Sequence, residues 1–420
     1  MNEINNFHIF MYSFIVVASL LNILHVGINM FAAELEDYQK EKNKQLFGES
    51  KHNFSISVVI PAYNEEKSIH KTLAAVVAND YSNKEIFVVD DGSADNTSKV
   101  VQEIISKEKD VPITLIKQKN QGKSVAINHA VADYATSDLI MVLDADSLLE
   151  PDALSKMTAH FRNKKIIGMA TNVKILKHSS WLNLAQRFEF LTAYRGKNAE
   201  QWLKTLYIVG GVGSTFQRDI MLEAGMYDTD TITEDIDFTM KLIHKYGNKR
   251  NVIGYASDVI VHTEPVIKFH SLINQRFRWK YGRFKAFLKY RSLFFSTDKK
   301  YSKWLTWITL PQSLLQELFM LIEPFIFLYI QWMIFRYTDW FTFLAANTFF
   351  ATVVCFAVTS DRYETKKEKF KFILLIPIAY WTMFVLTIVE YISLLKSIYK
   401  IKDLLTNKEQ HANWEHVERL

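Results

Sequence analysis

The stretch IMVLDADSLLEPDAL, residues 140–154, runs from an apolar tetrapeptide into two aspartates separated by one alanine. Asp144 and Asp146 carry like charges that repel and resist burial, so a partner has to offset them. Carboxylate oxygens at this spacing suit Mg2+ or Mn2+ bound to a substrate diphosphate. Such an ion neutralises the charge that gathers on a departing nucleotide diphosphate. D-x-D alone recurs by accident; the preceding buried strand gives it a context.

Other polar groups fall at comparable places. In VVDDGSADNT, residues 88–97, Asp91 either caps the following helix with Ser93 or accepts a hydrogen bond from a nucleotide base. Lys123, in NQGKSVAINHA, stands at a helix start, where a cation is unfavourable unless an anion is bound. The Gly122–Lys123 context favours a phosphate over plain solvation. TITEDIDFTMKLIHKYG, residues 231–247, puts Glu234 and Asp235 at a helix mouth. Acids there simply suit the helix dipole, or Asp235 acts as a general base that takes a proton from an attacking hydroxyl. The glycines of IVGGVGSTFQRD, Gly211 among them, permit a bulky ligand to approach the backbone. INQRFRWKYGRFKAFLKY, residues 273–290, reads as an amphipathic helix at a bilayer surface. That reading accounts for Arg283, Lys285 and Lys289. Gln275, Arg278 and Trp279 are better suited to a diphosphate and a sugar.

The elements that position these residues alternate in type. SISVVIPAYNE, EIFVVDDGSADNT, ITLIKQKN and LIMVLDAD are short apolar strands with polar exits, each followed by a helix-forming stretch. Such alternation predicts βαβ units and a mostly parallel, doubly wound sheet with ligands beyond the carboxyl ends of its strands. Asn64 and Glu65, Asp90 and Asp91, and Asp144 and Asp146 all lie at those ends. The α/β domain is expected over residues 52–262, an interface region over 263–300.

Of the 420 residues, 49% are hydrophobic and 14% aromatic, unevenly spread, which points to a soluble domain joined to membrane segments. A net charge of +5 is mild and the basic residues cluster near apolar stretches, favouring a membrane surface over nucleic acid as partner. The one cysteine, Cys355, excludes an intramolecular disulfide. No formally charged residue occurs over 4–33, and Glu3 stands where a signal peptide has its basic region. A retained anchor helix is expected near residues 7–31, within an anchor-and-linker region 1–51. Later spans are expected at 340–360 and 372–389. Residues 304–335 contain Glu317 and Glu323 and are interrupted by Pro311 and Pro324. They form either one kinked helix or an interfacial helix followed by a span. The membrane region is thus 301–395, with a tail over 396–420.

DDGS, DAD, TED and QRFRW, in this order and spacing, resemble the processive members of glycosyltransferase family 2: cellulose, chitin and hyaluronan synthases and, in size and layout most of all, bacterial poly-N-acetylglucosamine synthases. The resemblance runs from about residue 55 to the end of the membrane region. It implies a cytosolic GT-A domain with an α-helical transmembrane region, a UDP-sugar donor and Mg2+ or Mn2+. By position, Ala62, Glu65 and Asp91 would line the nucleotide pocket and Lys123 the phosphates. Asp144 would hold the diphosphate region and Asp146 the metal. Asp235, beside Glu234, would be the base, and Gln275, Arg278 and Trp279 would bind diphosphate and acceptor, with Gly211 on the acceptor side. The implied activity is inverting polymerisation of a sugar, N-acetylglucosamine first, into an exported glycan at the plasma or inner membrane, with a small membrane protein as helper. One-sugar transfer to a lipid or short acceptor, and a catalytically silent scaffold or transporter, are the rival functions.

Overall fold

The computed structural model describes residues 6–46, 54–163, 165–250, 252–337 and 340–400. The chain begins with α1 (Asn6–Leu46), whose stretch Ile9–Lys42 is long and apolar enough to cross a membrane. The α/β domain then starts at β1 (Ile56–Ala62), followed by α2 (Ile69–Val77), β2 (Lys84–Asp90), α3 (Thr97–Lys107), β3 (Ile113–Lys117), α4 (Lys123–Asp133) and β4 (Leu139–Val142). These strands lie parallel in the order β3-β2-β1-β4. Every residue of β1 and β4 is buried, as their apolar runs require for strands covered on both faces. Their side chains alternate: Val59, Ile140 and Val142 join one core, while Val58, Ile60, Leu139 and Met141 join the other.

The register levels the strand ends. Ala62 pairs with Asp90, and Asp90 with Lys117, so the polar exits open on one edge. Beyond β4 the sheet departs from simple βα alternation. A short strand, β5 (Ser147–Leu149), precedes α5 (Ala153–His160); the acidic turn therefore lies between two strands. Then come β6 (Ile166–Ile175), α6 (Trp181–Leu203), β7 (Ser214–Gln217), α7 (Arg218–Glu223), α8 (Glu234–Tyr246) and β8 (Val252–Thr263). β7 runs antiparallel between β4 and β6, and β8 pairs parallel with β6 and antiparallel with β5. The eight-stranded sheet is ordered β3-β2-β1-β4-β7-β6-β8-β5.

α9 (Phe269–Lys289) leads to the later membrane-type helices. α10 (Leu310–Tyr337) is entered through a π-helical turn over Trp304–Thr309. Pro311 follows the π-helical turn, and Pro324 is accommodated inside the helix. The two alternatives left by the prolines resolve to one continuous apolar stretch, Trp304–Arg336. α11 (Trp340–Ser360), α12 (Lys366–Leu374) and α13 (Ile376–Tyr399) follow. The last span starts at Ile376, later than the expected 372, because Pro377 opens a new helix after the amphipathic α12. It also runs past Glu390. Among the described residues, three helices are long and apolar enough to cross a membrane, in α1, α10 and α13. Most of the expected tail, residues 401–420, lies outside the described residues.

Candidate active site

The loops leaving β1 and β2 are tied to one another. Asn64 N–H donates to Ser93 Oγ (2.9 Å), Glu65 N–H to Thr97 Oγ1 (2.8 Å) and Glu66 N–H to Asp95 Oδ2 (3.1 Å). Asn64 adopts φ +57°, which asparagine tolerates. Ala62 is fully buried at the end of β1, and the Glu65 carboxylate accepts from Ser68 Oγ (2.6 Å).

Adjacent aspartates then divide the work. Asp90 serves the start of α3, accepting from Ser93 N–H (2.8 Å) and from the Ser98 hydroxyl. Asp91 is fully buried and faces the other way. It accepts from Gln118 Nε2 (2.8 Å), Gln121 N–H (2.9 Å) and Gly122 N–H (2.8 Å). The capping role considered for Asp91 at α3 therefore falls to Asp95, which accepts from Thr97 N–H (2.9 Å). Asp91 instead pins the loop before α4, and so places Lys123. Gly92 makes the close loop packing possible: its φ is +79°, and a Cβ there would lie 2.8 Å from Asn120 N.

Lys123 is the centre of the site. Its Nζ lies 2.7 Å from Asp144 Oδ1 and 2.7 Å from Glu234 Oε1, joining the end of β4 to the start of α8. Burial alone would depress the ammonium; Asp144 and Glu234 outweigh it and hold the group above the ordinary lysine value. Beside it, the Asp235 carboxylate is fixed by Gly211 N–H (2.8 Å) and Ile236 N–H (2.8 Å). Burial, then the charge of Glu234, push Asp235 up to about 6 against Lys123 and those two donors. A Cβ at Gly211 would lie 3.2 Å from Lys123 Nζ, 3.5 Å from Asp235 Oδ2 and 3.6 Å from Glu234 Oε1. Glycine there leaves room directly over the cluster. The structure thus gathers Lys123, Asp144, Gly211, Glu234 and Asp235, all named from sequence, around one ammonium.

Asp146, two residues after Asp144 and just before β5, is buried and accepts from Ser147 Oγ (3.1 Å). Asp144 and Asp146 supply the hard oxygen donors that Mg2+ and Mn2+ prefer. Among the described residues no group of three or more His, Cys, Asp or Glu side chains is arranged to hold an ion. The donor set therefore fits an ion that completes its shell with water and substrate phosphate, as Mg2+ commonly does.

α9 meets this region from the membrane side. A Cβ at Gly282 would fall 2.0 Å from Thr233 Oγ1, so the helix backbone rests against the residue preceding Glu234. Gln275 is buried and Arg278 Nε is buried without a hydrogen-bond partner. Among the described residues, Gln275, Arg278 and Trp279 form no hydrogen bond or ion pair with the acidic cluster. Trp279 instead lies under Arg276, whose guanidinium carbon is 4.4 Å from the ring centroid. Arg276 also grips Glu189 of α6 with both terminal nitrogens (2.7 and 2.6 Å).

The remaining basic residues of α9 are turned into protein. Lys280 pairs with Glu317 (2.7 Å) and Glu390 (2.9 Å), and Arg283 with Glu317 (2.9 Å). Lys289 reaches Asp228 (2.5 Å) and Asp237 (3.0 Å), and Lys285 donates to the Asp230 carbonyl. The headgroup-facing role expected for Arg283, Lys285 and Lys289 is thereby replaced by ion pairs with the α8 region and α10. Arg276 and Lys280 were missed in the sequence; their 276, 280, 283 spacing opposite an intramembrane Glu317 was the available signal.

A mostly parallel β/α sheet with acidic strand ends gathered on a lysine, with β7 inserted antiparallel between β4 and β6, is a fold of the GT-A type. Residues 57–223 match the family described as Glycosyl transferase family 2. Poly-beta-1,6-N-acetyl-D-glucosamine synthase of Staphylococcus aureus (strain COL) is 32% identical over 247 residues, 58% of this chain and 57% of that protein. The Staphylococcus epidermidis synthase of the same name is 29% identical over 255 residues, 60% of each. The chain therefore matches less than two thirds of the length of these relatives. In structure, the mannosyltransferase PcManGT from Pyrobaculum calidifontis, in complex with GDP-Man and Mn2+, aligns with 92% of this chain and 98% of its own, at TM-score 0.56 and 19% identity. That likeness is one of fold.

Proposed function

We propose that the protein is a membrane-integral, inverting glycosyltransferase that extends a glycan from a UDP-sugar, with UDP-N-acetylglucosamine as donor. The observation that carries this reading is the junction at Lys123, where the strand-end acid Asp144 and the helix-start acid Glu234 share one ammonium beside Asp235. Its family resemblance to poly-N-acetylglucosamine synthases supports the choice of sugar.

In the proposed reaction, a diphosphate arriving beyond β1 and β4 draws on Lys123, whose partners are otherwise carboxylates. Ala62, Glu65 and Asp91 shape the nucleotide side, Asp91 by holding the 118–122 loop. Asp235 is kept by two backbone N–H groups where it can take the proton of an acceptor hydroxyl. Its position near pH 6 makes it ionised at neutral pH and still a useful base. The hydroxyl oxygen attacks the anomeric carbon, the bond from that carbon to the UDP oxygen breaks, and configuration inverts. Mg2+ or Mn2+, held through Asp144 and Asp146, would supply charge neutralisation for the departing diphosphate. Gln275, Arg278 and Trp279 are proposed to complete the diphosphate and acceptor side. UDP-sugars being cytosolic, the domain faces the cytoplasm; a small membrane partner belongs to the same proposal.

The test is a donor screen on detergent-purified protein, with and without Mg2+ or Mn2+, followed by product sizing and linkage-specific digestion. Labelled polymer from UDP-N-acetylglucosamine alone is expected. Single additions would contradict polymerisation, and no transfer from any nucleotide sugar would contradict the whole reading.

A further inference from the structure

Lys123 joins α4 to the start of α8 at one point, through Glu234 (2.7 Å). One side chain reaching one carboxylate leaves the two helices free to pivot about the contact. The structure supplies a second tie. Asn128 lies five residues further along α4, about 7.5 Å down its axis, and meets the backbone of Tyr227, seven residues before Glu234. Its Nδ2 donates to the Tyr227 carbonyl (2.8 Å), and its Oδ1 accepts from the Tyr227 N–H (3.0 Å). Both polar ends of one side-chain amide thus engage both polar groups of one residue, as a neighbouring strand does.

Tyr227 passes the constraint to α8. Its side chain is buried, and its ring packs on Phe238 of α8 with centroids 4.6 Å apart. Phe238 packs in turn on Phe216 of β7 (5.0 Å). The turn before Tyr227 has positive φ at both Gly225 (+81°) and Met226 (+56°), a region in which a non-glycine residue is uncommon. Lys241 of α8 fastens that turn by donating to the Met226 carbonyl (2.9 Å), and it pairs with Asp228 (2.7 Å). Asp228 is also held by Lys289 of α9 (2.5 Å). Residues 225–228 are therefore gripped from α4, α8 and α9 together, and Asn128 provides the grip from α4. Asp235 follows Glu234 on the same first turn of α8, so a swing of α8 about the Lys123 contact carries the carboxylate with it.

We propose that Asn128 is a positioning residue for the base: by clamping Tyr227 it fixes the start of α8 against α4, and so keeps Asp235 in register with a donor held at Lys123. This role rests on the reading of the site as a glycosyltransferase with Asp235 as its base. Asn128→Asp is the sharpest perturbation. It keeps the shape of the side chain but offers only acceptors when ionised, and so sets a carboxylate oxygen against the Tyr227 carbonyl.

The test uses the full chain in nanodiscs with UDP-N-acetylglucosamine, and compares Asn128→Asp, Asp235→Asn and the double variant. Asn128→Asp is expected to lower kcat about tenfold to a hundredfold, the scale of a base displaced by a fraction of an ångström to one ångström. UDP affinity should stay as in the unmodified protein, because Lys123 keeps Asp144 and the 118–122 loop keeps Asp91. In the Asp235→Asn background the same change should add no further loss, since a residue acting through the base has nothing left to act on. Asn128→Ser, which keeps a shorter donor and acceptor, should show the same pattern more weakly if Asn128→Asp does not fold. An unchanged kcat in a folded variant, a fall in UDP affinity, or a loss that multiplies with that of Asp235→Asn would overturn the positioning role alone. Absence of any transfer by the unmodified protein would overturn the reading of the site and the role with it.

Discussion

Lys123 shows what one residue contributes here. It is the only group bonded both to the strand-end carboxylate Asp144 and to the helix-start carboxylate Glu234 among the described residues. Replacing it by methionine leaves these acids facing each other across apolar atoms. Its charge also holds Asp235 down from where burial and Glu234 would push it. With Lys123→Met, UDP affinity is expected to fall about a hundredfold, the scale of losing a phosphate-binding charge. The acid limb of the rate profile, near pH 6 in the unmodified protein, should move to higher pH. The sign follows from the carboxylate: activity is present above its pKa and lost as protonation sets in below it. A pH series of initial rates measures this; a limb that stays in place would show that another group titrates. Asp144, Glu234 and Asp235 were legible in sequence because each lies where a strand or helix terminates, and Gly211 because it stands in a glycine-rich run. The division between Asp90 and Asp91 was not, because adjacent residues of a strand end face opposite ways and both suit a cap.

At the scale of elements, strands β1 to β4 were readable, since each is a short apolar run with a polar exit. β5 was not: three residues between an acidic turn and a proline carry no alternation to detect. The face of α9 was misassigned for a related reason. Basic residues at helical spacing identify a charged face, but sequence does not say whether lipid headgroups or carboxylates meet it. Here Glu317 meets it, and Lys280 and Glu317 are both nearly closed to solvent. Glu317→Gln leaves Arg283 without an acid at bonding distance and Lys280 with Glu390 alone. A loss of about 3 kcal/mol is expected, read as a lowered melting temperature in detergent. An unchanged melt would mean the network adds nothing to folding. Where α9 rests on Thr233, Gly282→Ala should cost about 1–3 kcal/mol through overpacking and reduce transfer. Thr233→Gly in the same chain should restore both, since the clash is with that side chain; failure of the rescue would place the effect elsewhere.

For the whole molecule, the parallel half of the sheet was expected, and the order β3-β2-β1-β4 bears it out. The antiparallel insertion of β7 between β4 and β6, and the antiparallel β5–β8 pair, were not foreseen, because long-range pairing leaves little mark on local pattern. α1 proves to be more than an anchor: Glu34, Asp37 and Lys40 at its end bind α6 and β8 through Arg195, Asn198 and Ser257. The soluble domain is therefore tied to the membrane helices at α1, at α9 and along α6. The proposed cytoplasmic placement has a simple check, since Cys355 is the one cysteine. With Cys355→Ser and Ser106→Cys, an impermeant maleimide should label the exposed α3 site only after cells are opened. Labelling of intact cells would reverse the proposed orientation.

The central claim is that Asp235 is the base of a site assembled on Lys123. Its most direct measurement is incorporation of labelled N-acetylglucosamine by purified Asp235→Asn beside the unmodified protein, with UDP affinity determined on the same samples. Transfer is expected to fall by about a hundredfold to ten-thousandfold while UDP still binds. Undiminished transfer by Asp235→Asn would contradict the account.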